Sequence, residues 1–218
     1  MKIFVTGGTG FIGRRLIPRL LAHGHEVTAL ARPASAGRLP AGCQEMIGNV
    51  LAGETYAATV RGADCFVHLT GVTHPNPAKA RQFIEVDLAS ARVAITVAAQ
   101  AAVKHFVYLS VAQPAPVMHA YVEVRRQGEE MLRASGLNAT IFRPWYVLGP
   151  GRRWPYALLP AWWLVQLLPG MRKLTERFGF VTLDEMTASM LHAIEDPPRG
   201  VRVVEVPEIS TPGAGRHV

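Results

Sequence analysis

Cysteine is scarce in this chain: only Cys43 and Cys65 occur in 218 residues. They stand far apart and in no metal-ligand spacing. This argues against a disulfide-built scaffold and a cysteine-based metal site, and both are read as reduced thiols of a cytoplasmic protein. Acidic residues are also short, with Asp+Glu 16 against Lys+Arg 23 and a net charge of +7. The cations are scattered, and no run of five like charges appears. That pattern speaks against a nucleic-acid partner and for a phosphorylated ligand. A charge-free stretch, residues 154–171 (WPYALLPAWWLVQLLPGM), approaches membrane-span length but is broken by Pro155, Pro160 and Pro169, so it is not read as transmembrane. Internal repeats, low-complexity tracts and a secretory leader are likewise not seen.

What is present is a globular composition, 49% hydrophobic. The length fits one domain over 1–218, with a dinucleotide core over 1–151, a small substrate or lid region over 152–210 and a tail over 211–218. Strand-like runs recur at 2–7, 26–32, 45–50, 65–71, 105–110 and 139–144. Helix-length runs fill 11–23, 54–61, 79–102 and 119–135. Several of the strand runs are apolar with little alternation, as in sheets covered on both faces. Strands alternating with helices predict βαβ units. The fold class expected is α/β, a Rossmann-type doubly wound parallel sheet with a reduced C-terminal substrate region. Pro18 falls inside the first helix, where a kink or a shifted start is expected. Further on, FVTLDEMTASMLHAIEDP reads as a short strand and a helix with Asp184 at its N-cap side, and VRVVEVPEI as a last strand. His23 and His25 flank Gly24 at a helix end and read as capping chemistry.

Residues 5–13 read VTGGTGFIG. Gly7, Gly10 and Gly13 follow a strand and open a helix. The first glycine admits a backbone angle that a Cβ forbids, the second lets main chain approach a pyrophosphate, and the third lets helix pack close on strand. The helix start adds free N–H groups and partial positive charge. The alternative is a glycine-rich turn with no ligand. In a dinucleotide site an acid is expected about 20 residues on, holding the ribose hydroxyls. Arg32 stands there instead. A guanidinium cannot accept those hydroxyl hydrogens but pairs with a 2′-phosphate, so NADP is favoured over NAD. Arg38 is a possible helper, while Arg14 and Arg15 read as helix-surface charges.

With TGGTGFIG, ARP at 31–33, GNV at 48–50, HLTG at 68–71, YLS at 108–110, Tyr121-x-x-x-Arg125 and SGLNATIFRPWYVLGPG at 135–151, the chain resembles the short-chain dehydrogenase/reductase superfamily. The branch is the extended or atypical one: NAD-dependent epimerase/dehydratase-like and NmrA-like proteins and a related complex I subunit. The resemblance is dense over 1–151 and thin beyond. It implies a cofactor site from Gly7, Thr9, Gly10, Phe11, Ile12, Gly13, Arg32, Asn49, Val50, Leu69, Thr70, Gly71, Tyr121, Arg125, Pro144 and Val147. Asn49 is placed at the adenine, Leu69-Thr70-Gly71 beside the ribose, and Pro144 and Val147 nearest the nicotinamide.

The same resemblance implies a catalytic Ser or Thr, Tyr and Lys, with Tyr and Lys four residues apart on one helix face. Here the set is Tyr121, Arg125 and Ser110, and it departs from the pattern twice. Arg125 keeps a positive field beside the phenol but holds its proton. The hydroxyl position falls on Val111, and Ser110 faces the other way unless the strand end bulges. Thr70, Thr73 and His74 are possible substitute donors. Tyr121 reads either as proton donor or as a buried aromatic lining the cofactor pocket.

Two functions stand: an NADPH-dependent oxidoreductase on a carbonyl or hydrophobic small molecule, and a non-catalytic NAD(P)H-binding sensor, regulator or assembly factor. Residues 154–171, flanked by Arg152, Arg153, Arg172 and Lys173, read as a buried lid, a partner surface or a peripheral lipid contact. The helices at 79–102 and 119–135 are the pair through which a homodimer would form.

Overall fold

A computed structural model of the protein describes residues 1–115, 117–150 and 179–211. The stretch 154–171, its flanking basic residues and residues 212–218 of the tail lie outside the described residues.

Strand β1 (Lys2–Thr6) buries every residue after the first, and β2 (Glu26–Ala31), β4 (Cys65–His68), β5 (His105–Leu109) and β6 (Ala139–Arg143) are nearly as covered. With β3 (Gln44–Ile47) and β9 (Val201–Glu205) they form a seven-stranded sheet of order β3-β2-β1-β4-β5-β6-β9, parallel throughout. The order reverses between β1 and β4, the switch point where the carboxyl ends of the strands leave a crevice. Two short strands, β7 (Tyr146–Leu148) and β8 (Phe180–Thr182), pair in parallel apart from the main sheet.

Each face of the sheet is buried against its own helices. Ile3, Val5, Cys65, Val67, Val107 and Phe142 point to one side, into a core shared with α1 (Gly13–Ala22) and with a late helix, α6 (Leu183–Glu195). The C-terminal residues Val204, Val206 and Ile209 join this same core. The alternate residues Phe4, Phe66 and Phe106 point to the other side, with neighbouring ring centroids 5.2 and 5.1 Å apart. There they meet α4 (Ala89–Gln100) and α5 (His119–Ala134).

Several elements depart from the sequence reading. The run 79–102 is not one α-helix. A 3₁₀ turn at Pro77–Lys79, α3 (Ala80–Gln82) and a π-helical turn at Phe83–Leu88 precede α4. The π turn carries both Phe83 and Asp87 into contact with α5, and such turns are frequent at functional sites. Residues 54–61 form a 3₁₀ turn, Gly53–Thr55, and a single turn of helix, α2 (Ala57–Val60). Strand β3 stops at Ile47, because Gly48 turns the chain and Asn49 closes a side-chain turn onto the Leu51 N–H. The last strand ends at Glu205, where Pro207 in the first turn starts α7 (Val206–Ser210). Helix α1 runs through Pro18, whose ring is exposed, so the carbonyl freed by the missing N–H is left on the solvent side.

Helix α6 is capped by Thr182, whose hydroxyl accepts from the Glu185 N–H while the Glu185 carboxylate accepts from the Thr182 N–H. Asp184 sits in the first turn, where it pairs with Arg15 of α1 at 3.0 Å. His23 and His25 do not cap α1 with their side chains. Both lie against Glu195 Oε1, at 3.1 and 3.2 Å, and fasten the end of α1 to the end of α6. Gly24 between them carries the left-handed turn, at φ +77°. Cys43 and Cys65 are free thiols, and burial pushes Cys43 up to about 11.

Candidate functional site

The glycine loop lies at the carboxyl end of β1. Gly7 has φ +76°, and a Cβ there would fall 2.7 Å from the Leu69 carbonyl carbon and 2.9 Å from the Thr70 nitrogen. The first turn and the Leu69-Thr70-Gly71 segment after β4 are therefore one surface, too close for any side chain between them. Gly13 is as tightly held: its Cβ would sit 2.6 Å from both the Gly7 oxygen and the Gly8 Cα, so the start of α1 rests on the loop itself. At Gly10, of the described residues only Gly7 comes within reach of a Cβ, through its oxygen at 3.0 Å, and they leave its outer side open. Thr9, Gly10, Phe11, Arg14, Arg15, Pro150 and Leu183 surround a cavity of about 370 Å³ against this open side. The Phe11 ring closes one wall on Gly149, where a Cβ would meet its Cζ at 2.8 Å. Ile12 is buried and precedes α1, accepting the Leu16 N–H at 2.9 Å.

Arg32 directly follows β2, exposed and in extended conformation, and opens the 3₁₀ turn Pro33–Ser35. Among the described residues no carboxylate pairs with Arg32 or with the exposed Arg38. Asn49 is exposed at the carboxyl end of β3, while Val50 is half-buried, its carbonyl accepting from the Tyr56 hydroxyl at 3.3 Å. Pro144 is buried and its carbonyl accepts the Ala112 N–H, and Val147 lies in the same apolar cluster as Ile12.

Tyr121 and Arg125 share one face of α5, as the spacing requires. The Arg125 guanidinium lies 5.2 Å from the Tyr121 ring centroid and 5.9 Å from that of Tyr108. It is not offered to the crevice, however. It is 2% exposed and donates to Asp87 Oδ1 at 2.6 Å, to the Leu109 carbonyl at 2.8 Å and to the Thr70 carbonyl at 3.4 Å. A Cβ at Gly71 would collide with the Arg125 Nη2 and crowd Asp87 Oδ1, so a larger residue there would have to displace the ion pair. Asp87 takes the Val72 N–H with its other oxygen, at 3.0 Å. Burial pushes the Asp87 carboxyl above the usual carboxylate range, against the pull of Arg125. The Tyr121 ring is half-buried and rests on Phe83, centroids 5.0 Å apart.

Ser110 is 3% exposed and its hydroxyl donates to Glu129 Oε1 at 2.6 Å, while Val111 beside it is buried. Glu129, wholly buried, also accepts from Gln113 at 2.5 Å, from Arg143 Nη2 at 2.6 Å and from Arg133 at 3.0 Å. Burial alone would raise this carboxyl, but the hydrogen bonds from Arg143 and Ser110 outweigh it and hold it below the usual range. Arg143 reaches on to Glu205 of β9 at 3.2 Å. A second cavity, about 620 Å³, opens in front of this network between Gln113, His119, Glu123, Arg126 and Arg143. Thr70 is half-buried at the crevice, whereas Thr73 and His74 are exposed on the loop beyond it, His74 with φ +50°.

Asp87, Glu129 and Arg143 were not singled out from the sequence. The signals available were modest. Asp87 is a lone acid entering a run of small apolar helix residues, and Glu129 follows Arg125 by four positions. Charges placed among apolar neighbours are buried only in pairs. His68 left less trace. It is fully buried beneath the crevice, hydrogen-bonded to Thr6 Oγ1 at 2.8 Å and close to Ser90 Oγ at 3.4 Å. Burial, with the Arg125 charge behind it, pushes its imidazole down to about 3, so it is neutral.

Comparison with known proteins agrees with this geometry. A family model described as NAD(P)H-binding matches residues 7–154. A ceramide reductase of Caulobacter vibrioides is 25% identical over 213 residues, covering 97% of this chain and 66% of that protein. A 4-hydroxy-2-methyl-3-oxo-4-farnesyl-3,4-dihydroquinoline-1-oxide ketoreductase of Stigmatella aurantiaca is 25% identical over 214 residues, covering 88% and 61%. The chain thus spans about two thirds or less of the length of these curated relatives. Among solved structures, the enzyme WbmH of Bordetella bronchiseptica in complex with NAD+ superposes with a TM-score of 0.70 at 20% identity, over 94% of this chain and 75% of that one. The UDP-glucose 4-epimerase of Thermus thermophilus complexed with NAD gives 0.68 at 19%, over 96% and 81%.

Proposed function

The chain belongs to the NAD(P)H-binding family, as its likeness to the atypical short-chain dehydrogenases implied, and on that premise we propose that it is an NADPH-dependent oxidoreductase that reduces a ketone on a lipophilic substrate. The observation that carries this reading is the joining of two features at one crevice. The glycine turn meets the Leu69-Thr70-Gly71 segment with no room for a Cβ, and that same segment is held from below by the cation under Tyr121. The residues fit a dinucleotide. The backbone around Gly10, open on its outer side, would take the pyrophosphate at the start of α1. Arg32, which no carboxylate of the described residues pairs with, would take the 2′-phosphate in a fork geometry. When bound, the nicotinamide supplies the hydride.

The chain's own part is to hold and give the proton. Tyr121 is its candidate donor, on a ring that rests against Phe83 and the Arg125 guanidinium. A positive charge under the ring favours any negative charge that develops on the phenol as the proton leaves. Arg125 takes no part in a proton relay, because a guanidinium keeps its proton. The lipophilic substrate class is suggested by relatives whose names refer to ceramide and to a farnesyl-bearing quinoline ketone.

NADPH consumption with a panel of long-chain ketones and quinones tests this, run beside Tyr121→Phe. The variant should keep NADPH binding and lose turnover by at least about a hundredfold, the scale of a positioned general acid. Equal rates would remove Tyr121 from the chemistry. One observation favours a second reading, a non-catalytic NADPH sensor: Ser110 and Arg125 are both committed to buried carboxylates. In that case NADPH raises the melting temperature while no ketone in the panel is consumed.

A further inference from the structure

Arg14 and Arg15 are adjacent at the start of α1, and their surroundings differ. Arg15 donates through Nε and Nη2 to Asp184 Oδ1, at 3.1 and 3.0 Å, and Arg19 approaches the same oxygen at 3.5 Å. One carboxylate on the first turn of α6 therefore answers two of the three arginines on this helix. Among the described residues Arg14 has no acid within ion-pair distance. It lines the cavity of about 370 Å³ together with Thr9, Gly10, Phe11 and Pro150, on the side where Gly10 leaves the backbone uncovered. Among the described residues, the cavity in front of the glycine loop thus holds one guanidinium without a counter-charge.

We propose that Arg14 binds the pyrophosphate of the dinucleotide, adding a side-chain cation to the backbone N–H groups of the glycine loop. This rests on the NAD(P)H-binding reading and assigns a role that the glycine pattern alone does not. Two arginines then divide the ligand. Arg14 reads the phosphates common to NADPH and NADH, and Arg32 reads the 2′-phosphate that only NADPH carries. Arg14 sets affinity and is blind to the choice between cofactors.

Titration of the intact chain with NADPH, NADH and ADP-ribose tests this. Arg14→Gln should weaken all three by the same factor, about tenfold, as expected for one hydrogen-bonded charge contact. The loss should shrink as salt is raised, because the site is exposed. Arg14→Lys keeps a point charge and should lose about threefold. Arg15→Gln, which lines the same cavity but whose charge Asp184 already answers, should lose less than Arg14→Gln. Unchanged binding in Arg14→Gln overturns the assignment. So does a loss confined to NADPH, which would put Arg14 at the 2′-phosphate. If the wild-type chain binds none of the three ligands, the dinucleotide reading itself falls, an outcome distinct from binding that ignores Arg14.

Discussion

Arg125 Nη2 lies 2.6 Å from Asp87 Oδ1, and neither side chain reaches solvent. This ion pair joins four pieces of chain. Asp87 belongs to the π-helical turn and Arg125 to α5, and the guanidinium also holds the carbonyls of Thr70, in the segment after β4, and of Leu109, at the end of β5. A buried pair of this kind gains little over a well-packed apolar pair, but losing one member strands a charge. Asp87→Ala should therefore lower the unfolding free energy by about 3–5 kcal/mol. The double variant Asp87→Leu/Arg125→Met should recover most of that loss. Urea denaturation of the three proteins decides it, and losses that simply add would mean that the pair is not a unit.

Gly7 and Gly24 share a left-handed backbone, at φ +76° and +77°, but not a neighbourhood. Among the described residues a Cβ at Gly24 meets nothing within 4 Å, whereas at Gly7 it strikes the backbone of Leu69 and Thr70. Gly24→Ala should cost only the conformational strain, about 1–2 kcal/mol, and leave NADPH affinity as it was. Gly7→Ala should cost more and abolish NADPH binding, because relief of the clash pushes the two walls of the crevice apart. Melting curves with and without NADPH separate the two, and a Gly7→Ala chain that binds NADPH normally would refute the joined-wall account.

The fold was legible in the sequence because its signals are local and repeated. Apolar runs from Lys2 to Arg143 alternate with helix-length segments, and Gly7, Gly10 and Gly13 mark the first crossover. The tertiary arrangements were harder to read. Nothing within residues 83–88 announces a π turn. It is stabilised by what it touches: Phe83 on Tyr121, and Asp87 on Arg125. The spacing of Tyr121 and Arg125 placed them on one helix face, but it could not show that the guanidinium would be drawn inward by an acid from another helix. Ser110 is a similar case. The expectation that it faces away from the hydroxyl position concerned strand geometry, and the carboxylate that receives it, Glu129, comes from α5.

His68 and His105 make the fold sensitive to acid. Burial pushes them down to about 3 and about 4, from an ordinary value of 6.5. Below pH 6.5 the unfolded chain takes up protons that the folded chain refuses, so stability rises with pH across this window and is lost as pH falls through it. At pH 5 each histidine should subtract roughly 2 kcal/mol relative to pH 8. Urea midpoints measured from pH 8 to pH 5 should fall, and His68→Gln should fall less steeply whatever its starting stability. An unchanged slope in that variant would assign the acid sensitivity to other groups.

Ser110 is the hydroxyl nearest in sequence to the position where the superfamily places a catalytic one, and its geometry assigns it another task. Its proton is directed at Glu129, which also gathers Gln113, Arg133 and Arg143. Removing that donor leaves the carboxylate with three partners rather than four, so the loss should resemble that of one hydrogen bond to a charged group, about 1.5–3 kcal/mol. Because the hydroxyl is buried and engaged, Ser110→Ala should leave NADPH affinity unchanged and any ketone reduction within about threefold of wild type, in contrast to Tyr121→Phe. Glu129→Gln should be worse for stability than Ser110→Ala, since the cations of Arg133 and Arg143 would then face a neutral amide. The ordering of these two variants in urea, read beside their turnover, distinguishes a structural network from a displaced catalytic serine: a collapse of turnover in Ser110→Ala at normal stability would return that hydroxyl to the reaction.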